Sequence, residues 1–145
     1  MKNQPTYDDA NLILKLYEMR REPRLREARK FIGGLRALKS REEFLQACPP
    51  GSDENASFRM VTTYWDMAAS FVVTGILNKE LFFRANNLEL VFVWEKVRGA
   101  IPEMRQIAKN PTQYRNLEEV ANEFIAWMNE TAPEWYETWS ANLRK

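Results

Sequence analysis

Apolar residues recur at intervals of three and four along nearly the whole chain, and no segment alternates in the way a half-buried strand requires. Glycine and proline are few and fall between these runs, so they read as breaks between helices. Residues 7 to 21 place Leu12, Leu16 and Met19 on one side, with Ile13 and Tyr17 beside them. Pro23 opens a second helix through about Leu38, with Leu25, Ala28, Ile32 and Leu35 on its apolar face. Ser40 and Glu43 form a capping-box pair for a short helix that ends at Cys48-Pro49-Pro50-Gly51.

The middle of the chain is its most apolar part. Ser52 or Asp53 caps a helix running to Thr74, and Gly75 suits a left-handed C-terminal stop. Phe58, Val61, Trp65, Ala69 and Val72 project on one face of that helix, and Met60, Tyr64, Met67 and Phe71 on another. Two apolar faces predict a central position. Asn78 caps a short helix holding Leu81, Phe82 and Phe83. Asn87 begins a second central helix, Leu88 to about Gly99, apolar all round except for the strip of Glu89 and Lys96. Pro102 marks a new turn or a kink leading to Asn110-Pro111, and Asn116 with Glu119 predicts a further capping box. Leu117, Val120, Ala121, Phe124, Ile125 and Met128 follow at helical spacing. Pro133 starts a last helix with Trp135, Trp139 and Leu143 on one stripe. The expected fold is all-α, one domain over residues 1–145, a bundle of seven to eight helices around two central apolar ones.

Composition narrows the chemistry. The chain has 145 residues, 21 Lys plus Arg against 20 Asp plus Glu, one cysteine and no histidine. Without histidine there is no Ser-His or Cys-His catalytic pair and no His-ligated metal. One thiol closes no intramolecular disulfide, so a reducing, cytoplasmic setting fits. The N-terminus has no secretory pattern. The longest low-charge apolar run, Met67 to Leu77, is eleven residues, short of the about 20 that span a bilayer, so no membrane insertion is expected.

Four groups of residues are candidate sites. From residue 20 to 41 nine positive side chains face two negative ones. Arg26, Arg29, Lys30 and Arg36 project away from the apolar face there, toward phosphates or an acidic partner. No aromatic residue interleaves with them, and a solvated face balanced by the acidic last third is the plainer alternative. A polar stripe of Arg59, Thr63, Asp66, Ser70 and Thr74 runs along the central helix as either a cleft wall or a solvent edge. Trp94, Glu95, Arg98 and Arg105 offer a carboxylate and guanidinium pair between neighbouring helices. Trp127, Trp135, Tyr136 and Trp139 lie close in sequence, with Trp135, Tyr136 and Trp139 suited to an interface or to an aromatic pocket. Cys48, beside two prolines, reads as a packed residue rather than a nucleophile.

The block Tyr64 to Phe83, followed by Trp94-Glu-Lys-Val97 and Ile101-Pro-Glu-Met-Arg105, resembles small helical bacterial proteins grouped as a domain of unknown function. The resemblance covers about residues 55 to 109 and rests on packing features. It implies an all-α fold in a bacterial or phage-related setting and supplies no activity. The combined expectation is a non-enzymatic protein without cofactor or metal that binds a protein partner or itself as a homodimer. The alternatives are nucleic-acid or anionic-ligand binding through residues 20–41, and small-molecule sensing in an aromatic pocket.

Overall fold

The structure, a computed structural model, describes residues 4–144. Among them the elements are α1 (Tyr7–Arg20), α2 (Pro23–Gly34), α3 (Arg41–Ala47), α4 (Asp53–Val73), α5 (Lys79–Arg84), α6 (Glu89–Val97), a 3-10 turn (Arg98–Ala100), α7 (Ile101–Ala108), α8 (Arg115–Thr131) and α9 (Trp135–Leu143), with no strand. Helix α4 packs along α2 on one side and α8 on the other, while α6 lies against α8, α4 and α9. Both central helices are therefore where their apolar patterns put them. Phe58, Val61, Trp65, Ala69 and Val72 of α4 are buried, as are Leu90, Val91, Val93, Trp94 and Val97 of α6.

Local polar residues start and stop several of these helices. The Thr6 hydroxyl accepts from the Asp9 backbone N–H and the Asp9 carboxylate accepts from that of Thr6, a reciprocal cap on α1. The Ser40, Ser52 and Asn78 side chains cap α3, α4 and α5 by accepting the backbone N–H of Glu43, Asn55 and Leu81, while the Glu43 carboxylate accepts from the Lys39 N–H and so does not close the expected box with Ser40. After α4 the chain turns at Gly75, whose φ of +83° lies in the left-handed region that glycine enters without strain.

Three boundaries differ from the sequence expectation. Helix α2 ends at Gly34 rather than Leu38, and Leu35 is extended. The two consecutive glycines weaken the helix there, and the extended segment gains partners that a longer helix would forgo. The Leu38 N–H donates to the Lys96 carbonyl at 2.8 Å, and the Lys96 ammonium donates to the Leu35 carbonyl. Segment 35–39 thus runs across the end of α6 with Leu35 and Leu38 still buried. A Cβ on Gly99 would lie 2.1 Å from the Leu38 carbonyl oxygen, so only glycine permits this approach.

Helix α8 begins at Arg115, and Asn116 does not cap it. Tyr114 adopts φ +57° there, its hydroxyl 2.9 Å from the Thr62 hydroxyl oxygen. Burying that ring turns the chain early and leaves Asn116 inside the helix. The cap comes instead from α4, where Asp66 Oδ1 accepts the Leu117 N–H at 2.9 Å. Nor does Asn87 cap α6, for its side chain is buried, donating to the Phe82 carbonyl and accepting from Arg20.

The strip of Glu89 and Lys96 on α6 is not a solvent edge. Lys96 is buried against segment 35–39, and desolvation pushes its pKa below the usual lysine value. Glu89 faces α2 and α4. It accepts from Arg29 through Nε and Nη2 (2.9 and 2.7 Å) and from the Trp65 indole at 3.0 Å.

Candidate anion-binding site

Much of the basic segment, one candidate for a phosphate-binding face, is engaged within the fold. Arg29, half-buried, is engaged by Glu89, and its Nη1 donates to the Arg20 carbonyl. Arg20 is itself buried, with its guanidinium 4.9 Å from the centroid of the Trp65 ring and donating to Asn87. Arg24 donates to Ser57 at 3.2 Å and Arg26 to the Arg21 carbonyl at 3.0 Å. Lys30 stays exposed on its own. The apolar and basic faces of α2 are thus both used in joining α1, α2, α4 and α6, apart from Arg26 and Lys30 at the surface.

Arg36 falls in a different place because α2 ends before it. Segment 35–39 carries Arg36 and Lys39 to the rim of a hollow of about 800 Å³ lined also by Ala37, Leu38, Glu95, Arg98, Gly99 and Arg144. Four cationic side chains line it against one carboxylate. Glu95, with its side chain 3% exposed, forms the floor. It accepts from Arg98 Nη1 at 3.0 Å, from Arg144 Nη2 at 3.3 Å and from the Tyr136 hydroxyl at 2.8 Å. Both carboxylate oxygens are engaged. Burial, with Glu95 beside it, pushes the Tyr136 phenol above its usual pKa, which keeps it a neutral donor.

Glu95 therefore fixes Arg98 and Arg144 from below, each through a single nitrogen. A guanidinium has five N–H donors in a planar fork, so both retain edges for a ligand above. Arg36 and Lys39 are exposed, and among the described residues their side chains have no hydrogen-bond or ion-pair partner, although the Lys39 backbone N–H donates to Glu43 Oε1 at 3.3 Å. The lining holds no hydroxyl or thiol nucleophile, and its one carboxylate is saturated by donors. Such an arrangement attracts and orients negative charge.

The remaining predicted residues disperse. Glu95 does not pair with Arg105, whose Nε donates to the Gln113 carbonyl at 2.8 Å and whose Nη2 forms an ion pair with Glu118 at 2.8 Å, tying α7 to α8. Arg59 contacts Asn55 at the surface, and Asp66 caps α8. The polar stripe of α4 is consequently an edge with one structural carboxylate, and Arg59, Asp66, Glu95 and Arg105 form no cluster.

The aromatic group also divides. Trp127 packs into the core against Phe83 and Phe124. Tyr136 turns inward to Glu95, whereas Trp135 and Trp139 stack at 5.0 Å and 17° on the other side of α9. These half-buried indoles line an open hollow of about 700 Å³ with Ala132, Pro133, Glu134 and Thr138.

Arg144 and the pairing of Tyr136 with Glu95 were not predicted. Tyr136 and Arg144 lie two turns apart on α9, which puts them on one side of that helix; nothing in sequence indicates that α9 lays that side on α6. Cys48 is fully buried, and desolvation, reinforced by Glu54, pushes its thiol up to about 11, as suits a packed residue. No helix among the described residues is long and apolar enough to cross a membrane.

A protein family described as a domain of unknown function (DUF4760) matches residues 5–127, a stretch much longer than the block from 55 to 109 that carries the resemblance in sequence. It takes in Arg36, Lys39, Glu95 and Arg98, and ends before α9. No curated protein matches the chain, and no solved structure does.

Proposed function

We propose, for a chain that belongs to the DUF4760 family and takes from it a domain without an assigned activity, that it is a non-enzymatic binding protein for a compact anionic ligand held above Glu95. One observation carries this reading: four cations gather at a single hollow in a protein whose formal charge is only +1. Most of the other basic side chains of α2 already have partners within the fold, which disfavours a long row of phosphates such as duplex nucleic acid presents. The lone buried thiol fits a reducing, cytoplasmic setting.

Calorimetric titration at low ionic strength tests it, with orthophosphate, pyrophosphate and citrate as probes. Saturable 1:1 binding is expected, weakening as salt is added. The double variant Arg36→Ala/Lys39→Ala should abolish it while leaving the melting temperature unchanged, since both side chains are exposed. Absence of binding by all three anions overturns the reading.

A second reading is self-association through α9. It rests on the stacked Trp135 and Trp139, whose hollow is open and largely apolar. Light scattering at high micromolar concentration should then show a dimer that Trp135→Ala/Trp139→Ala returns to monomer. A strictly monomeric parent protein would exclude it.

A further inference from the structure

Resting on the anion-site reading above, we infer that the occupant is a multivalent oxyanion bridging segment 35–39 and α9, with Arg144 as the residue that closes the site. The two walls of the hollow belong to different parts of the fold. Arg36 and Lys39 lie on segment 35–39 and Arg98 on the turn after α6, all within the family match; Arg144 lies beyond it, at the end of α9. Helix α9 is held on this side by the Tyr136 and Arg144 bonds to one carboxylate, that of Glu95.

Charge and spacing set the ligand class. Arg36 and Lys39 are three residues apart on a non-helical segment, so their Cα atoms are separated by at most about 10 Å. With cations on both walls, an ion with two or more charged groups meets Arg36 or Lys39 at one end and the free edges of Arg98 and Arg144 at the other, making more charge-assisted bonds than a single small anion does. An anion there also offsets the positive charge that remains beside Glu95 and so favours the seating of α9 against segment 35–39. Ligand binding and the seating of α9 are therefore coupled, and each favours the other.

Calorimetry and hydrogen exchange on the full chain test this with pyrophosphate and orthophosphate. Pyrophosphate is expected to bind at least about tenfold more tightly than orthophosphate, the difference expected for one further charge-assisted bond. At saturation it should slow exchange of the α9 amides severalfold while leaving those of α4 unchanged. Arg144→Ala should lower pyrophosphate affinity about tenfold and abolish the α9 protection, and Arg144→Lys should restore part of both. Circular dichroism and the melting temperature check that these variants are folded. If neither phosphate nor citrate binds, the anion-site reading falls and this inference with it; if citrate binds and neither phosphate does, the anion site stands and this inference is overturned. If both bind equally, or if pyrophosphate binds with no change in α9 exchange or no dependence on Arg144, the anion site stands and the bridging role is overturned.

Discussion

Replacing Gly99 by alanine places a methyl carbon 2.1 Å from the Leu38 carbonyl oxygen, 2.9 Å from the Leu38 carbonyl carbon and 2.9 Å from Lys39 Cα. All three are backbone atoms, so no side-chain rotation relieves the overlap. Carbon and oxygen normally approach to about 3.3 Å, which requires segment 35–39 to lift by about 1 Å. That movement stretches the bond from the Leu38 N–H to the Lys96 carbonyl, worth about 1 kcal/mol. It also loosens Leu35 and Leu38 from the core and strains their neighbours, an overpacking penalty of about 1–3 kcal/mol. The combined loss is about 2–4 kcal/mol, a fall in melting temperature of roughly 5–15 °C for a chain of this size. Gly33→Ala supplies the control. A Cβ there meets nothing within 4 Å and the residue is helical, so this substitution should stabilise by about 0.5–1 kcal/mol. Urea denaturation of both variants measures the contrast. A Gly99→Ala protein within about 0.5 kcal/mol of the parent, a neutral surface value, would refute the close-approach argument, as would equal loss in the two variants.

Asp66→Ala removes the cap that α4 provides for α8 and should destabilise by about 1–2 kcal/mol in denaturant melts; an unchanged midpoint would show that Leu117 does not depend on it. Glu89→Gln breaks the ion pair with Arg29, about 29% exposed on either side, and should lower stability by about 1–3 kcal/mol, between the values for exposed and buried pairs. The loss should be smaller in Arg29→Ala/Glu89→Gln than the two single changes add to, which a double-mutant cycle reads directly. Cys48 should resist thiol reagents at pH 8 until urea is added. Because its thiol holds its proton to about 11 when folded, against a usual 9.0, the folded state binds more protons between these values. The Cys48 contribution to stability is therefore lost as pH rises from 9 toward 11, visible as a shrinking difference between parent and Cys48→Ala across that window.

Most helix positions were legible in the sequence because helical periodicity and caps are local. Ser40, Ser52, Asn78 and Gly75 act within a few residues of where they stand, and each performs the expected task. The boundaries that shifted are those set by distant partners. Helix α2 stops at Gly34 because segment 35–39 bonds to Lys96, and α8 starts at Arg115 because Tyr114 meets Thr62 and Asp66 reaches Leu117. The candidate site was legible only as fragments. Arg36, Glu95 and Tyr136 each stood in a different predicted group, and Arg144 in none.

The sequence by itself determined an all-α chain with two apolar central helices, because burial demands a continuous apolar face and helical geometry converts that demand into a three-to-four residue repeat. It also determined that histidine chemistry is absent. Which charges remain free was decided by tertiary structure alone. Arg29 and Arg36 look alike along the chain, yet one is held by a carboxylate sixty residues away and the other reaches a hollow beside Glu95. The reason is physical: the state of a charged side chain depends on which opposite charge lies within a few ångströms, and packing rather than sequence proximity sets that distance.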